Sequence, residues 1–372
     1  MSDDLRPASP PRPPSEPWWL FQGTGEPIEE PVRDQRWRPP PPWRAFNGAP
    51  DRPAPPEDAD EDRRRLGAAA APYLTRAQIS VVNAAIHLRR PLLVSGGPGS
   101  GKSTLAHMIA RELRLGRVLR WPITSRTTLA SGLYGYDAVG RAQATLQVRE
   151  ALGGGRRHGR PRLDGRQEPE RPAVTPPAIG EFVHLRALGT ALLPQRLPRV
   201  LLVDEMDKSE FDLPNDLLNI FEDGEFEIPE LVRIRETRED VEVITADRGH
   251  TALVRGGVVR CNAFPIIVIT SNGERDFPPA FLRRCVRLDL PDPAPEQLAA
   301  MVRAHFPDGG VDYGYLVAAF VQRRGRGATL AADQLLNAVH LAIEGALPED
   351  DPACADLLNI IWRSLEAEPS SG

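Results

Sequence analysis

A glycine-rich stretch, VSGGPGSGKST, occupies residues 94–104, between an apolar run and an amphipathic helical pattern. The preceding run RRPLLVSGG predicts a buried strand that ends in glycines, and GKSTLAHMIARELRLG predicts the helix that follows. Gly96, Gly101, Lys102 and Ser103 satisfy the spacing G-x-x-x-x-G-K-[ST]. This spacing predicts a phosphate-binding loop when, as here, it follows a strand and opens a helix. Few other patterns constrain the fold of a chain as strongly.

Each residue type in this loop has a physical role in binding phosphate. Glycines let successive backbone N–H groups face inward as an anion-binding nest, and the following helix directs its N-terminal dipole at the phosphates. We expect Lys102 to reach the β- and γ-phosphates of a nucleotide and the Ser103 hydroxyl to ligate Mg²⁺. The predicted nucleotide-binding residues are Gly96, Gly97, Pro98, Gly99, Ser100, Gly101, Lys102, Ser103 and Thr104.

Two further predicted strands end in polar side chains. RVLLVDE at 199–205 ends in Asp204 and Glu205, and PIIVITSN at 265–272 ends in Asn272. The carboxyl ends of parallel strands form the ligand-binding edge of an open α/β sheet. We expect Asp204 to hold Mg²⁺ directly or through water, and Glu205 to accept a proton from the attacking water. The Asn272 amide is expected to orient that water; the alternatives are a solvated strand end for the acidic pair and a turn-forming asparagine.

Strands alternate with helices from about residue 67 onward. Additional buried strands are predicted at 117–123 and 285–290. The five strands together predict an α/β fold with an open, mostly parallel sheet covered by helices on both faces. From Pro291 the pattern is helical with short connections, which predicts a small helical domain. The predicted parts are a Pro- and Trp-rich, largely disordered tail at 1–66, a nucleotide-binding α/β domain at 67–291 and a helical lid domain at 292–372.

Two segments interrupt the α/β pattern. Residues from about 153 to 177 are rich in Gly, Arg and Pro, a composition that predicts a mobile loop. Residues 226–262, which begin FEIPELVRIRE, predict short strands or a hairpin inserted before the strand at 265–272. We expect both segments as additions to the five-stranded core.

The first 66 residues contain 16 of the 39 prolines and four of the six tryptophans. This composition cannot bury enough contiguous surface to form a core of its own. Yet WWLFQG at 18–23 and WRAFNG at 43–48 share the pattern W-x-x-F-[QN]-G. Exposed tryptophans are costly in a soluble segment, so we expect the tail to dock through these aromatics on its own core or on a partner. The alternative is a solvated linker.

Composition narrows the class of protein further. The net charge of −5 argues against a broad nucleic-acid footprint, although a locally basic patch stays possible. No window has the apolar length needed to span a bilayer, and the N-terminus lacks the apolar core of a signal peptide, so we expect a cytoplasmic protein. The three cysteines, Cys261, Cys285 and Cys354, fit neither a disulfide framework nor a metal site.

The phosphate-binding loop, the acidic strand end, the polar strand end and the helical lid occur in the order typical of AAA+ ATPases, which are P-loop NTPases. The chain resembles that family in GGPGSGKS (Walker A), LLVDE (Walker B) and VITSN (sensor 1). Three longer stretches resemble its MoxR-type branch: SRTTLASGLYGYDAVGR, LGTALLPQRLPRVLLVDEMDKSEFDLPNDLLNIFEDGEFEIPEL and FPPAFLRRC. The similarity covers roughly residues 67–345.

The resemblance implies an ATPase that works with Mg²⁺ in a ring of identical subunits, typically a hexamer. It implies that Arg284, with Arg283 as the alternative, reaches the γ-phosphate of the neighbouring subunit as an arginine finger. It also implies that residues 226–262 face a central pore and touch a client protein. MoxR-type proteins commonly act with a partner that carries a von Willebrand factor A domain. Specificity for adenine likewise comes from the family likeness.

One departure from the family pattern bears on function. The family carries a sensor-2 arginine near the start of the third lid helix, where this chain reads GATLAADQLLNA without a basic residue. Arg323, Arg324 and Arg326 lie just before it, and one of them could substitute. The first hypothesis, supported by the intact Glu205, Asn272 and Arg284, is an ATP-hydrolysing remodeller of a partner complex. The second is a nucleotide-gated interaction switch with slow turnover in a bacterial signalling or defence system. A nucleic-acid-directed motor is disfavoured.

Overall fold

The computed structural model describes residues 16–49, 52, 55–67, 74–153, 177–307, 313–326, 330–345 and 352–362. Nearly all of the segment at 153–177 that we predict as a mobile loop lies outside these ranges. None of the helices in the described ranges is long and apolar enough to cross a membrane.

The elements alternate along the chain much as the hydrophobic pattern predicts. The helices are α1 (Glu30–Arg36), α2 (Ala59–Leu66), α3 (Arg76–Leu88), α4 (Lys102–Glu112), α5 (Leu129–Leu133), α6 (Ala138–Gly153), α7 (Ala187–Ala191), α8 (Leu213–Asp223), α9 (Pro229–Val232), α10 (Pro279–Leu282), α11 (Pro295–His305), α12 (Gly314–Gly325), α13 (Ala332–Ile343) and α14 (Pro352–Ile361). The strands are β1 (Leu92–Ser95), β2 (Leu119–Pro122), β3 (Tyr134–Tyr136), β4 (Val183–Leu185), β5 (Val200–Asp204), β6 (Glu225–Glu227), β7 (Asp240–Ile244), β8 (Thr251–Arg255), β9 (Val258–Arg260), β10 (Ile266–Ser271) and β11 (Val286–Asp289).

Five strands form a central sheet in the order β11-β1-β10-β5-β2. Every neighbouring pair is parallel, so all five carboxyl ends meet at one edge of the sheet. The predicted α/β fold with a five-stranded, mostly parallel sheet is confirmed. Since β1, β5 and β10 are the three inner strands, the phosphate-binding loop and both polar strand ends lie side by side at this edge.

Both faces of the central sheet are covered, as a parallel sheet requires. All five residues of β5 are buried, and successive side chains point into different apolar clusters. Val200 and Leu202 pack into the cluster under α3 and α4, whereas Leu201 and Val203 pack into the cluster on the opposite face. Because successive side chains are buried on opposite faces, the sequence of β5 is a continuous apolar run.

A second sheet has the strand order β3-β4-β7-β8-β9-β6. Four of its strands lie between 225 and 260, where the sequence predicts short strands or a hairpin. The other two, β3 and β4, pair antiparallel and join this sheet through the parallel contact between His184 and Ile244. Sequence analysis does not predict β3 and β4, because three-residue strands are too short to show an alternating pattern.

Within the predicted tail, the segment at residues 16–49 packs on the core, which is one of the two dockings that its aromatic pattern predicts. Trp19, Leu20 and Phe21 are at most 1% exposed. The backbone N–H groups of Leu20 and Phe21 donate to Asn83 Oδ1 at 2.7 and 3.0 Å. The segment needs no core of its own, because α3 and α4 supply both apolar surface and polar partners. The aromatic pattern favours this docking; residues 1–15 lie outside the described part of the chain.

The helices from α11 onward enclose a third apolar cluster, separate from the two that cover the sheet. Its largest members include Phe320 and Trp362, whose rings meet edge to face at 5.5 Å. The first residues of α13 approach the phosphate-binding loop closely, since a Cβ added to Gly99 would lie 2.3 Å from the Ala332 nitrogen. The boundary between this helical region and the α/β part, placed at 291/292, stays a prediction.

Candidate active site

The loop between β1 and α4 adopts backbone conformations that suit glycine. Gly99 and Gly101 have φ values of 73° and 88°, in the left-handed region that other residues rarely adopt. At Gly96, a Cβ would lie 2.3 Å from the Leu290 carbonyl oxygen. The loop thus closes tightly before α4 begins at Lys102, which places the N-terminus of α4 at the carboxyl edge of the sheet.

The Lys102 ammonium is held inside the loop. Its Nζ donates to the carbonyl oxygens of Gly96 and Gly97, both at 2.7 Å. Burial lowers the pKa of Lys102, while the nearby carboxylates of Asp207 and Asp204 act in the opposite direction. An ammonium has three N–H donors, so two hold its position and the third is left for an anion.

Asp204 lies at the end of β5 and accepts hydrogen bonds at both carboxylate oxygens. Its Oδ1 accepts from Ser103 Oγ at 2.8 Å and from Thr270 Oγ1 at 2.9 Å. Its Oδ2 accepts two bonds from the Arg120 guanidinium, from Nε at 3.1 Å and from Nη2 at 2.7 Å. Burial disfavours the charged form, but the bonds from Arg120, Ser103 and Thr270 hold the pKa of Asp204 below its usual value.

Ser103 and Asp204 have the chemistry of a Mg²⁺ site. Ser103 donates its proton to Asp204, so the hydroxyl oxygen keeps its lone pairs for a hard cation, which prefers oxygen ligands. The buried Ser100 Oγ in the same loop has no hydrogen-bond partner among the described residues. No group of three His, Cys, Asp or Glu side chains in the described ranges is placed to hold a metal. The remaining ligands of Mg²⁺ would thus be nucleotide phosphates and water.

Glu205 differs from Asp204 in its accessibility. Its side chain is 45% exposed and its Oε2 accepts from Lys208 Nζ at 2.9 Å. The backbone of Glu205 is left-handed, with φ of 63°, and its N–H donates to Thr270 Oγ1 at 2.8 Å. Left-handed backbone is uncommon outside glycine, so Thr270 helps to fix the direction in which the Glu205 side chain leaves the strand.

Asn272 is held by its backbone, which leaves its amide side chain able to reorient. The Asn272 N–H donates to Asp207 Oδ2 at 2.8 Å, and Glu274 N–H donates to the same oxygen at 3.3 Å. Asp207 is 5% exposed. The Asn272 side chain makes one long contact, from Nδ2 to Glu274 Oε1 at 3.4 Å. Asp207 therefore positions the end of β10 beside the end of β5.

A cavity of about 340 Å³ unites these residues. It is lined by Pro98, Gly99, Ser100, Gly101, Lys102, Ser103, Thr104, Arg120, Asp204, Glu205, Thr270 and Asn272. The structure thus brings together most of the loop with the predicted metal, base and water-orienting residues.

Sequence analysis missed three of the residues that act on this site: Arg120, Thr270 and Asp207. Each of the three has a feature in the sequence that points to a role at the site. Arg120 interrupts the apolar strand RVLRWPI, Thr270 places a hydroxyl near the end of an apolar strand, and Asp207 follows the acidic pair at a distance of two residues.

Arg284, the predicted arginine finger, does not line this cavity. Its Nε donates to Glu222 Oε1 at 2.6 Å and its Nη1 to the Ala280 carbonyl at 3.3 Å. The Arg284 side chain is 34% exposed. Arg283, the alternative, is exposed, and its carbonyl accepts from Arg90 Nη1 at 3.1 Å. Within one chain, neither arginine is brought to the phosphate-binding loop.

A second, mainly apolar pocket of about 100 Å³ adjoins the loop on the side of the helical region. Leu66 of α2, Met108 of α4, and Leu298 and Met301 of α11 contribute to its lining together with Gly99. These residues are far apart in sequence, so their pattern gives no warning of a shared pocket. Such a surface suits a flat, largely apolar group attached to a phosphate chain.

The start of α13 is the place where the resembled family has a sensor-2 arginine and this sequence has none. Its first turn contains Asp333 and no basic residue. Arg324 lies near but is engaged elsewhere: its Nε and Nη2 donate to the Leu330 carbonyl at 3.0 and 2.5 Å, and its guanidinium lies 4.9 Å from the centre of the Phe320 ring. Among the described residues, the first turn of α13 contains no arginine.

Comparison with known proteins does not assign the chain to a family or a function. No family model matches the chain, and no curated protein matches it. Among solved structures, the chain is similar to one titled "Structure of C. elegans PCH-2", with a TM-score of 0.36 and 14% sequence identity, over 81% of this chain and 71% of that chain. The chemistry of the site is therefore inferred from its own geometry.

Proposed function

We propose that this protein is an AAA+ ATPase that hydrolyses ATP with Mg²⁺. The observation that carries the proposal is the convergence of Lys102, Ser103, Asp204, Glu205 and Asn272 around one cavity at the carboxyl edge of a parallel sheet. Phosphoanhydride hydrolysis needs three parts that this cavity contains: a cation inside the loop, an oxygen pair for a metal and a second, accessible carboxylate. We assign the nucleotide phosphates to the loop from Gly96 to Thr104.

Within this proposal, Glu205 acts as general base. Its half-exposed carboxylate faces the cavity, and a water molecule between it and the γ-phosphate would transfer a proton to Glu205 as the oxygen attacks phosphorus. Asn272 orients that water through its amide. Mg²⁺ bound by Ser103 and Asp204 would neutralise charge on the β- and γ-phosphate oxygens. Lys102 stabilises the same charge with an ammonium that two carbonyls already hold in place.

The choice of ATP over other nucleotides is supported by the apolar pocket beside the loop. Leu66, Met108, Leu298 and Met301 present a surface that suits an adenine ring. The loop and this pocket share Gly99, Ser100, Gly101 and Thr104, so a base and its phosphates can lie in the two cavities at once.

We further propose that the chain works as a MoxR-type ring, with six subunits as the expected number, that remodels or activates a partner complex. Support comes from the position of Arg284: it is outside its own cavity and partly exposed, as an arginine that reaches a neighbouring subunit must be. Residues 226–262 would then face the client. A partner with a von Willebrand factor A domain and a cytoplasmic location are parts of this proposal that rest on the sequence alone.

The start of α13 favours a second candidate, a nucleotide-gated interaction switch in a bacterial signalling or defence system. The first turn of α13, whose first residues approach Gly99 of the loop, contains Asp333 where the resembled family has an arginine that binds phosphate. Lid movement would then be weakly coupled to the γ-phosphate and turnover would be slow. The tail at 16–49 would set the state of assembly.

The deciding experiment is steady-state ATP turnover as a function of protein concentration. We expect specific activity to rise with concentration, and to fall by 10³-fold or more, roughly, in Arg284→Ala. Arg283→Ala tests the alternative finger, and Arg287→Ala, at an exposed arginine of β11, is the matched control that should keep wild-type activity. Glu205→Gln should bind ATP without turnover, Glu210→Gln on the same loop should behave as wild type, and Lys102→Ala should not bind. Turnover close to zero at all concentrations, with ATP bound, would favour the switch.

A further inference from the structure

Arg120 is the feature of the cavity that the proposed mechanism leaves without a role. It lies on β2, the edge strand next to β5, and its side chain lines the same cavity as the phosphate-binding loop. The charged residues that line this cavity are Lys102, Arg120, Asp204 and Glu205. Arg120 is therefore one of two cations on these walls, and the other is fixed inside the loop.

Both Arg120 hydrogen bonds go to one oxygen, Asp204 Oδ2. The other oxygen, Oδ1, is already occupied by the hydroxyls of Ser103 and Thr270. The carboxylate of Asp204 thus has four hydrogen bonds, and those to Oδ2 come from Arg120 alone. A carboxylate has about four lone-pair sites. Mg²⁺, or a water bound to it, can use Asp204 Oδ2 only if Arg120 releases it.

The two partners of this ion pair differ in their freedom to move. The Asp204 side chain is 10% exposed, whereas the Arg120 side chain is 48% exposed. Asp204 is fixed at the end of β5 by Ser103 and Thr270, while Arg120 extends from an edge strand over the open cavity. Because the Arg120 guanidinium is half exposed, water can solvate it when it leaves Asp204, so Arg120 can leave at low cost when a better partner is present.

We propose that Arg120 is a metal-displaced switch residue: it pairs with Asp204 until Mg²⁺ binds there, then turns to the terminal phosphate of the nucleoside triphosphate in the same cavity. This inference rests on the proposed function. A divalent cation next to Asp204 repels the guanidinium, and the terminal phosphate attracts it with a planar, bidentate match. Arg120 thereby makes Mg²⁺ binding competitive and makes the site prefer triphosphate to diphosphate.

The test measures nucleotide binding without any turnover. Fluorescent N-methylanthraniloyl ATP and ADP are titrated into the full-length protein over a range of free Mg²⁺ and in EDTA. In Arg120→Gln, the Mg²⁺ concentration for half-maximal ADP binding should fall about two- to fivefold, because competition for Asp204 is lost. The preference for the ATP analogue over the ADP analogue should fall by a similar factor, because the phosphate contact is lost.

Two further variants make the test specific. Arg287→Gln is the matched control, because Arg287 is an exposed arginine on β11, the opposite edge strand of the same sheet; it should leave both quantities unchanged. Arg120→Lys keeps the charge but loses the bidentate geometry. It should lower the half-maximal Mg²⁺ concentration by a smaller factor and keep part of the triphosphate preference, and it carries the test if thermal melting shows that Arg120→Gln does not fold.

Three results would overturn the inference. An unchanged or raised Mg²⁺ requirement in both Arg120 variants would show that Arg120 does not compete for Asp204. An unchanged preference for the triphosphate would remove the phosphate contact. Wild-type protein that binds neither analogue would defeat the proposed function together with this inference. If the wild type binds, Lys102→Ala does not, and Arg120→Gln matches the wild type, then only the role of Arg120 fails.

Discussion

The two copies of the pattern W-x-x-F-[QN]-G dock on opposite faces of the central sheet. In the first copy, Phe21 is fully buried in the apolar cluster under α3 and α4. In the second, Phe46 packs against the cluster on the other face and stacks on Phe264 at 5.4 Å. The N-terminal segment therefore spans both sides of the α/β core, with one copy of the pattern as the contact on each side.

Each copy ends in a glycine that lets the chain pack closely, and the local geometry differs between the two. Gly23 has a φ of 71°, and a Cβ there would lie 2.9 Å from Ile79 Cδ1. Gly48 allows close backbone approach instead: its N–H donates to the Cys261 carbonyl at 3.0 Å, and a Cβ would lie 2.2 Å from the Arg260 carbonyl oxygen. Both positions exclude larger residues.

The copies differ most at the residues between the tryptophan and the phenylalanine. The first copy buries apolar Trp19 and Leu20, whereas the second buries Arg44, which is 8% exposed. The Arg44 guanidinium donates to the carbonyl oxygens of Arg89 and Phe221. Between the tryptophan and the phenylalanine, the first copy buries apolar side chains, whereas the second buries a guanidinium that donates to main-chain carbonyls. Shared aromatic and glycine positions do not imply a shared source of stability.

The largest effect should come from the apolar copy. Phe21→Ala removes a fully buried aromatic ring, which typically costs about 3 to 5 kcal/mol. Phe46→Ala should cost roughly half as much, because its ring is only partly buried. Urea unfolding of the two variants beside the wild type measures the difference in free energy of unfolding. Equal losses would mean that the two copies are held alike.

Next in size is the loss of the buried arginine in the second copy. Arg44→Met keeps the length of the side chain but leaves two main-chain carbonyls without their donors, which should cost about 2 to 3 kcal/mol. Arg36→Met, at an exposed arginine of α1, is the control and should cost less than about 0.5 kcal/mol. If Arg44→Met were as stable as that control, the hydrogen bonds of the second copy would contribute nothing.

An effect that depends on pH tests the first copy alone. Glu112, which is 2% exposed, accepts hydrogen bonds from the main-chain N–H groups of Gln22, Thr24 and Gly25. Burial raises the pKa of Glu112 to about 7, although these bonds act to lower it. Because the folded pKa lies above the ordinary value of 4.5, the stability that Glu112 contributes is lost as the pH rises from about 4.5 to 7.

Glu112→Gln isolates this contribution, since glutamine resembles the protonated acid and does not titrate. The free energy of unfolding of the wild type should decline relative to Glu112→Gln between pH 5 and pH 7, by at most about 1.4 kcal/mol for each pH unit. Unfolding midpoints at several pH values measure it. A difference that stays constant over this interval would show that Glu112 keeps an ordinary pKa in the folded protein.

The sequence predicts those parts of the molecule whose structure is specified by a single local stretch of residues. The loop from Gly96 to Thr104 and the buried strands are of this kind, because a periodic pattern and a fixed spacing each specify one structure. Arg120 could not be assigned to the site from sequence, since it reaches Asp204 only because β2 lies next to β5 in the sheet. The same holds for Asn83, whose side chain binds a segment more than 60 residues away.

The smallest effect on stability is expected at the tryptophans that begin each copy. Trp18 and Trp43 are 39% and 75% exposed, so they contribute little to the fold of a single chain. Trp43→Ala should change the free energy of unfolding by less than about 0.5 kcal/mol, and Trp18→Ala somewhat more, because its ring lies 6.0 Å from that of His87. Urea unfolding at two protein concentrations, tenfold apart, is the measurement.

The dependence of this effect on protein concentration shows whether the exposed Trp43 contributes to association between subunits. Trp43 and Arg44 are neighbours in sequence, and Arg44 bonds to Phe221, the residue before Glu222, whose carboxylate holds Arg284. If subunits associate over this region, Trp43→Ala should destabilise the protein at the higher concentration only, because association adds stability by mass action. A loss of more than about 1 kcal/mol at both concentrations would instead show that Trp43 is buried within the single chain, and the two copies would then differ less than their exposures indicate.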